Sequence, residues 1–268
     1  MNSSKLYPKD IPGTVFTKNP HIVEIALESN FPSSSEALRF ISNMLVKANM
    51  QVITFNITCT DNRQYIVFFI DYSKAKYSVK VLIRELKVNS HILNVKYRVK
   101  VVKEKIIDTF ATPTFGQGKY KALVLGVNEM SSVFEKVKEV YGTGGEALLY
   151  HIGYALGEIA GEKYAPEKIT EDFIREDLLA FQAYGWGVLE IVKIDLEEPE
   201  VIIRLYDLFE SAHVRGRKDK PHCHFVRGFL AGLLTVFLNT KMIVVELKCI
   251  AKGDPYCEFV AKPLATLS

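Results

Sequence analysis

The stretch from Cys223 to Cys257 holds three of the chain's four cysteines, with Glu246 three residues before Cys249 and Cys257 eight after it. Three soft thiolates and one carboxylate form a donor set suited to a tetrahedral divalent ion, above all zinc. Spacing alone leaves a second reading open, in which three buried cysteines act as small hydrophobes. His222 and His224 flank Cys223 and are further candidate ligands. Loop or helix geometry is expected to turn both away.

The elements that would carry these donors can be read from the flanking residues. Residues 242–249 read as a strand, because Ile243, Val244, Val245 and Leu247 favour a pleated, half-buried surface. A regular strand would point Glu246 and Cys249 to opposite faces, so a bulge or twist at the strand end is needed to unite them. Gly253-Asp254-Pro255 is a turn that returns Cys257 on a short strand, 256–260. Cys223 opens an apolar helix, 225–238, in which Gly228, Ala231 and Gly232 permit close packing.

The runs H-F-V-R-G-F-L-A-G, V-E-L-K-C and G-D-P-Y-C-E-F resemble the end of the 4-vinyl-reductase (4VR) domain family. That family includes the sensing domains of aromatic-responsive transcription activators, and its fold is shared by subunits of the TRAPP tethering complex. The resemblance covers about residues 115–263. It implies a structural zinc held by Cys223, Glu246, Cys249 and Cys257. It also implies a ligand pocket, with Trp186, Tyr206 and Phe209 at the lining positions. The aromatic sensors have a hydrogen-bonding histidine where this chain has Trp186, which favours a more apolar ligand than phenol. Read without the family, the same three residues are core aromatics.

Composition narrows the function classes. The chain has 268 residues, 48% of them hydrophobic, and a formal net charge of +3. Direct nucleic-acid binding is not indicated by so small a charge, and no helix-turn-helix is left over. With few cysteines, no signal peptide and no long apolar run, the sequence points to a reducing, cytoplasmic protein with no membrane segment. Neither a nicotinamide motif nor a flavin motif is found, and four protein ligands would close the metal to substrate. The chain is therefore expected not to be an enzyme.

From residue 21 onward the periodicities follow the order βαββαβ: strands at 21–29, 51–60, 64–72 and 92–102, and helices after Ser33 and over 77–86. Asp61-Asn62 reads as the hairpin turn. Such an order demands an antiparallel sheet with two helices on one face and resembles the ACT-type regulatory fold. Asn30-Phe31-Pro32-Ser33 replaces the usual ACT ligand loop, so a dimerisation or docking role is expected. Further along, Gly153, Gly157 and Gly161 recur four apart in a helix over 146–163. Each glycine costs about 1 kcal/mol against alanine, so that face must pack tightly. A third helix is expected over 170–185, capped by Thr170, then strands at 187–196 and 201–206.

The expected architecture is α+β. An irregular arm (1–20) precedes a ferredoxin-like, ACT-type domain (21–102), a linker (103–118) and a 4VR-type domain of helices on an antiparallel sheet (119–268). The function expected is a ligand-sensing regulatory protein, a homodimer, binding a small hydrophobic molecule and acting on transcription through a downstream partner. A scaffold subunit of the tethering-complex type is the alternative, ahead of an enzyme of tetrapyrrole metabolism.

Overall fold

The structure, a computed structural model, describes residues 9, 11, 13–60, 63–99, 101–116 and 120–267. The expected Asp61-Asn62 turn lies outside the described residues, as do residues 1–8 of the expected arm and residues 117–118 of the expected linker. The chain divides into two compact units, Met1–Leu123 and Val124–Ser268.

In the N-terminal unit the elements run β1 (Thr14–Phe16), β2 (Ile22–Ser29), α1 (Ser34–Ala48), β3 (Gln51–Thr60), β4 (Arg63–Asp71), α2 (Val79–Val88), β5 (Ile92–Arg98) and β6 (Lys105–Ile107), then a small hairpin of β7 (Phe115–Gly116) and β8 (Tyr120–Lys121). The main sheet has the order β3-β4-β2-β5 and is antiparallel throughout. Alternation along β2 sends Val23, Ile25 and Leu27 into one core with Ile41 and Leu45 of α1 and Leu82 and Leu86 of α2. Ser33 caps α1, its hydroxyl accepting from Glu36 N at 3.2 Å, and Asn49 closes the helix in the left-handed region. The buried Gln64 side chain, bonded to Ser29 Oγ and to Phe31 N and O, fixes the loop after β2.

The opposite face of this sheet is partly covered by stretches whose sequence reads as arm and linker. Strand β1 pairs with β6, and Val15 and Ile106 pack on Ile22 and Phe69. Glu24, also on this face, is fully buried and accepts from Thr109 N and Oγ1 at 2.8 and 3.1 Å.

The C-terminal unit comprises α3 (Val127–Tyr141), α4 (Thr143–Tyr164), α5 (Glu171–Leu178), α6 (Ala180–Ala183), β9 (Val188–Asp195), β10 (Glu200–Tyr206), α7 (His224–Phe237), β11 (Met242–Lys248) and β12 (Cys257–Pro263). Its sheet, β11-β12-β10-β9, is antiparallel. The helix expected over 170–185 is two pieces, because Leu179 N bonds to Glu176 O and tightens the turn between them. Thr170 caps α5 as expected, accepting from Phe173 N. The spaced glycines pack α4 directly on α7. A Cβ at Gly153 would lie 2.0 Å from Phe225 O and one at Gly157 2.1 Å from Phe229 O, while Gly228 and Gly232 meet Tyr150 O and Tyr154 O in return. Among the described residues no helix is long and apolar enough to cross a membrane.

Candidate metal centre

Cys223, Glu246, Cys249 and Cys257 converge in the C-terminal unit, all buried, with their donor atoms within 4.8 Å of one another. Each arrives by a different device. Cys223 is the N-cap residue of α7. On β11, Glu246 shares the core face with Met242 and Val244. The pairing with β12 then slips, so that Glu246 stands opposite Phe259 and Lys248 opposite Glu258. This bulge adds one residue to β11 and turns Cys249 to the same side as Glu246. The chain leaves Cys249 in a short 3-10 turn and reverses at Gly253, whose φ of 99° is open to glycine. Asp254 fixes the knuckle by accepting from Cys249 N at 2.8 Å. Cys257 then opens β12.

The distances suit an ion. Cys223 Sγ lies 3.9 Å from Cys249 Sγ and 3.6 Å from Cys257 Sγ, and the three cysteines are free thiols. A disulfide would need about 2.05 Å. Metal–sulfur bonds of about 2.3 Å in a tetrahedron hold sulfurs about 3.8 Å apart. Ile250 N donates to Cys257 Sγ at 3.3 Å, and Ser211 Oγ sits 3.2 Å from the same sulfur.

The carboxylate is the most telling member. Glu246 Oε2 accepts from His222 N at 3.1 Å and Cys223 N at 2.9 Å. Oε1 is buried with no hydrogen-bond partner. An orphaned carboxylate oxygen beside three thiols is costly in an apolar interior unless a cation meets it. Burial, followed by the neighbouring Cys249, pushes Glu246 up to about 8, and burial pushes the Cys223 thiol well above its ordinary value. Hydrogen bonds from Cys223 and Cys257 hold Cys249 far below its ordinary value, as the one favoured thiolate. A divalent cation would reverse this arithmetic and allow all four donors to ionise. The cluster can thus hold a metal.

Neither flanking histidine joins the four. The His222 ring is bonded to Glu135 and the His224 ring lies near Glu146, both turned away from the sulfurs. Although burial pushes it up, Glu135 is held down at about 2 by hydrogen bonds from Lys218 and His222.

Trp186 and Phe209 come together in a nest of rings. Trp186 lies 5.0 Å from Phe229, 5.2 Å from Phe181, 5.6 Å from Phe209 and 5.7 Å from Phe225, centroid to centroid. Tyr206 is not with them. Alternation along β10 buries Leu205 and sends Tyr206 to the outer face, where its hydroxyl bonds Glu190 and its ring lies on Tyr256.

Residues 205–263, which carry all four donors, match the V-4-R (vinyl-4-reductase, 4VR) domain. The uncharacterized protein MJ0150 of Methanocaldococcus jannaschii is 35% identical over 135 residues, 49% of this chain and 74% of that protein. MJ1642 of the same organism is 30% identical over 128 residues, 47% of this chain and 70% of that protein. The chain belongs to the 4VR family. Among solved structures, the phenol-responsive sensory domain of the transcription activator PoxR, solved with phenol, is 16% identical with a TM-score of 0.49, covering 55% of this chain and 79% of that one. A vinyl-4-reductase family protein from Methanocaldococcus jannaschii is 27% identical with a TM-score of 0.39, covering 53% and 84%.

One buried residue of this 4VR unit escaped the sequence reading. Glu210 is fully buried and accepts from Phe225 N at 3.0 Å and Val226 N at 2.9 Å, with Lys138 Nζ 3.8 Å away. Burial pushes it up to about 7. Cys223 makes no side-chain cap bond, since its sulfur is turned into the cluster, and Glu210 satisfies the first turn of α7 in its place. An N-cap cysteine followed by a helix with no acidic first turn was the available signal.

Proposed function

We propose that this chain is a ligand-responsive regulatory protein, in which a structural zinc fixes one end of the 4VR unit and a small apolar molecule enters the ring nest. One observation carries the reading. Phe225 belongs both to the nest, against Trp186, Phe209 and Phe134, and to the first turn of α7, two residues after the metal donor Cys223. A molecule that displaced these rings would press on the helix start that the ion anchors. Ligand then acts by preferring one of two packings.

Zinc is favoured over other ions by three thiolates with one carboxylate, and four protein donors leave no open position for substrate. The role proposed is therefore binding rather than catalysis, in the cytoplasm, where such thiols stay reduced. For the N-terminal βαββαβ unit we propose an ACT-like docking or dimerisation role. A homodimer is supported by an unpartnered stripe on α4, Leu148, Ile152, Leu156 and Ile159, all 42–61% exposed. Transcriptional output would run through a downstream partner.

Trp186 is the chain's one tryptophan, so its emission reports the nest directly. Titration of the whole protein with phenol, toluene, indole and palmitate should give a saturable change for at least one, lost in Phe229→Ala. A flat response to all four would favour the second reading, a scaffold subunit of the tethering-complex type. The close mutual packing of the rings, at 5.0–5.7 Å around Trp186, supports that alternative.

A further inference from the structure

The helix-free face of the N-terminal sheet contains an open cavity of about 480 Å³ that plays no part in the 4VR unit. Its position follows from the register. Across the sheet, Asn56, Val67, Ala26 and Lys96 form one row, and Thr58, Tyr65, Glu28 and Asn94 form the next. The preceding row is closed over: Phe69 is packed under Val15 and Ile106, and Glu24 is bonded to Thr109. The chain beyond Thr109 stands up as a wall, Phe110–Pro113, along the edge of the open rows. Small side chains at Ala26 and Val67 make the depression, and the buried Glu24–Thr109 bonds hold the wall in place.

Its charges are unequal. Glu28 is already engaged by Arg63. Lys96 Nζ lies 6.0 Å from the centre of the Phe110 ring and has no ion pair among the described residues. Asn94 beside it offers an amide, and Thr58 a hydroxyl. An unpaired ammonium, neutral hydrogen-bonding groups, an apolar floor and a ring on one wall are the parts of a small-molecule site of ordinary size. We propose that this cavity binds a small organic carboxylate, with the carboxylate on Lys96 and Asn94 and the carbon skeleton over Ala26, Val67 and Phe110. The carboxylate can belong to a free small acid or to the C-terminus of a peptide.

Isothermal titration of the full chain separates these sources. The probes are benzoate, glutarate, a five-residue peptide with a free C-terminus, and its amidated twin. Saturable binding of either free acid assigns the site to small molecules, and binding of the free peptide but not its twin assigns it to chain ends. In both cases Lys96→Met should weaken binding by about tenfold or more, as loss of a charge-assisted hydrogen bond requires. Phe229→Ala should leave it unchanged. Because Lys96 is exposed, the variant should melt like the parent protein. No saturable binding by any carboxylate probe, or binding that Lys96→Met does not alter, would overturn the assignment.

Discussion

Glu24 on β2 and Glu246 on β11 are both strand carboxylates, 0% and 5% exposed, and burial raises both, to about 7 and about 8. Their oxygens differ. Both oxygens of Glu24 are met by Thr109, so the group ties a crossing segment to the sheet. One oxygen of Glu246 is met by two backbone N–H groups, and the other has no partner among three thiols. Burial and a raised pKa therefore do not distinguish a staple from a ligand. The unsatisfied oxygen does, because only a missing group can account for it.

The same substitution at the two carboxylates should separate them. Glu246→Gln removes the charge while keeping the shape, and it should weaken metal retention by more than the 10–100-fold or so that outer partners of a site contribute. The melting of the C-terminal unit should fall with it, since binding energy at such sites is folding energy. Full metal occupancy in this variant, measured by metal analysis after dialysis, would remove Glu246 from the ligand set.

Gly157→Ala asks whether helix packing, apart from the ion, positions Cys223. The new Cβ would meet Phe229 O at 2.1 Å, so α7 must shift, at about 1–3 kcal/mol in urea denaturation. An unchanged midpoint would show that the α4–α7 contact is looser than its geometry.

The smallest effect is expected at Glu24, and it has a sign. Its folded pKa of about 7 lies above the ordinary 4.5, through burial and the nearby Asp108, so the folded state holds the proton more tightly than the unfolded one. Glu24 thus stabilises the N-terminal unit fully below about pH 4.5, and this contribution is lost as pH rises to about 7, on the order of 1–3 kcal/mol in all. Glu24→Gln should flatten that slope without touching metal content. A slope that persists would assign the pH dependence to other groups.

The ligand set was legible because it occupies a short stretch, and the bulge followed from the demand that Glu246 and Cys249 share a face. The glycine spacing of α4 was legible too, since glycines that cost helix stability must be offset by close approach. By contrast, β1 and β6 are three residues each and far apart in the chain, too short for any periodicity. The Glu24–Thr109 bonds join residues 85 apart, and Glu210 caps a helix from outside it. No local pattern encodes such partners. Tyr206 could have been placed from sequence: in β10 Val201, Ile203 and Leu205 alternate inward, so Tyr206 must face out.

The central claim is most directly tested by native mass spectrometry of the whole chain, prepared without chelator and with zinc available, beside a denatured control. The account predicts a native mass exceeding the denatured mass by one zinc per chain. A native mass equal to that of the bare polypeptide would contradict it, leaving Cys223, Glu246, Cys249 and Cys257 as a buried cluster with no ion to explain the unpaired carboxylate oxygen.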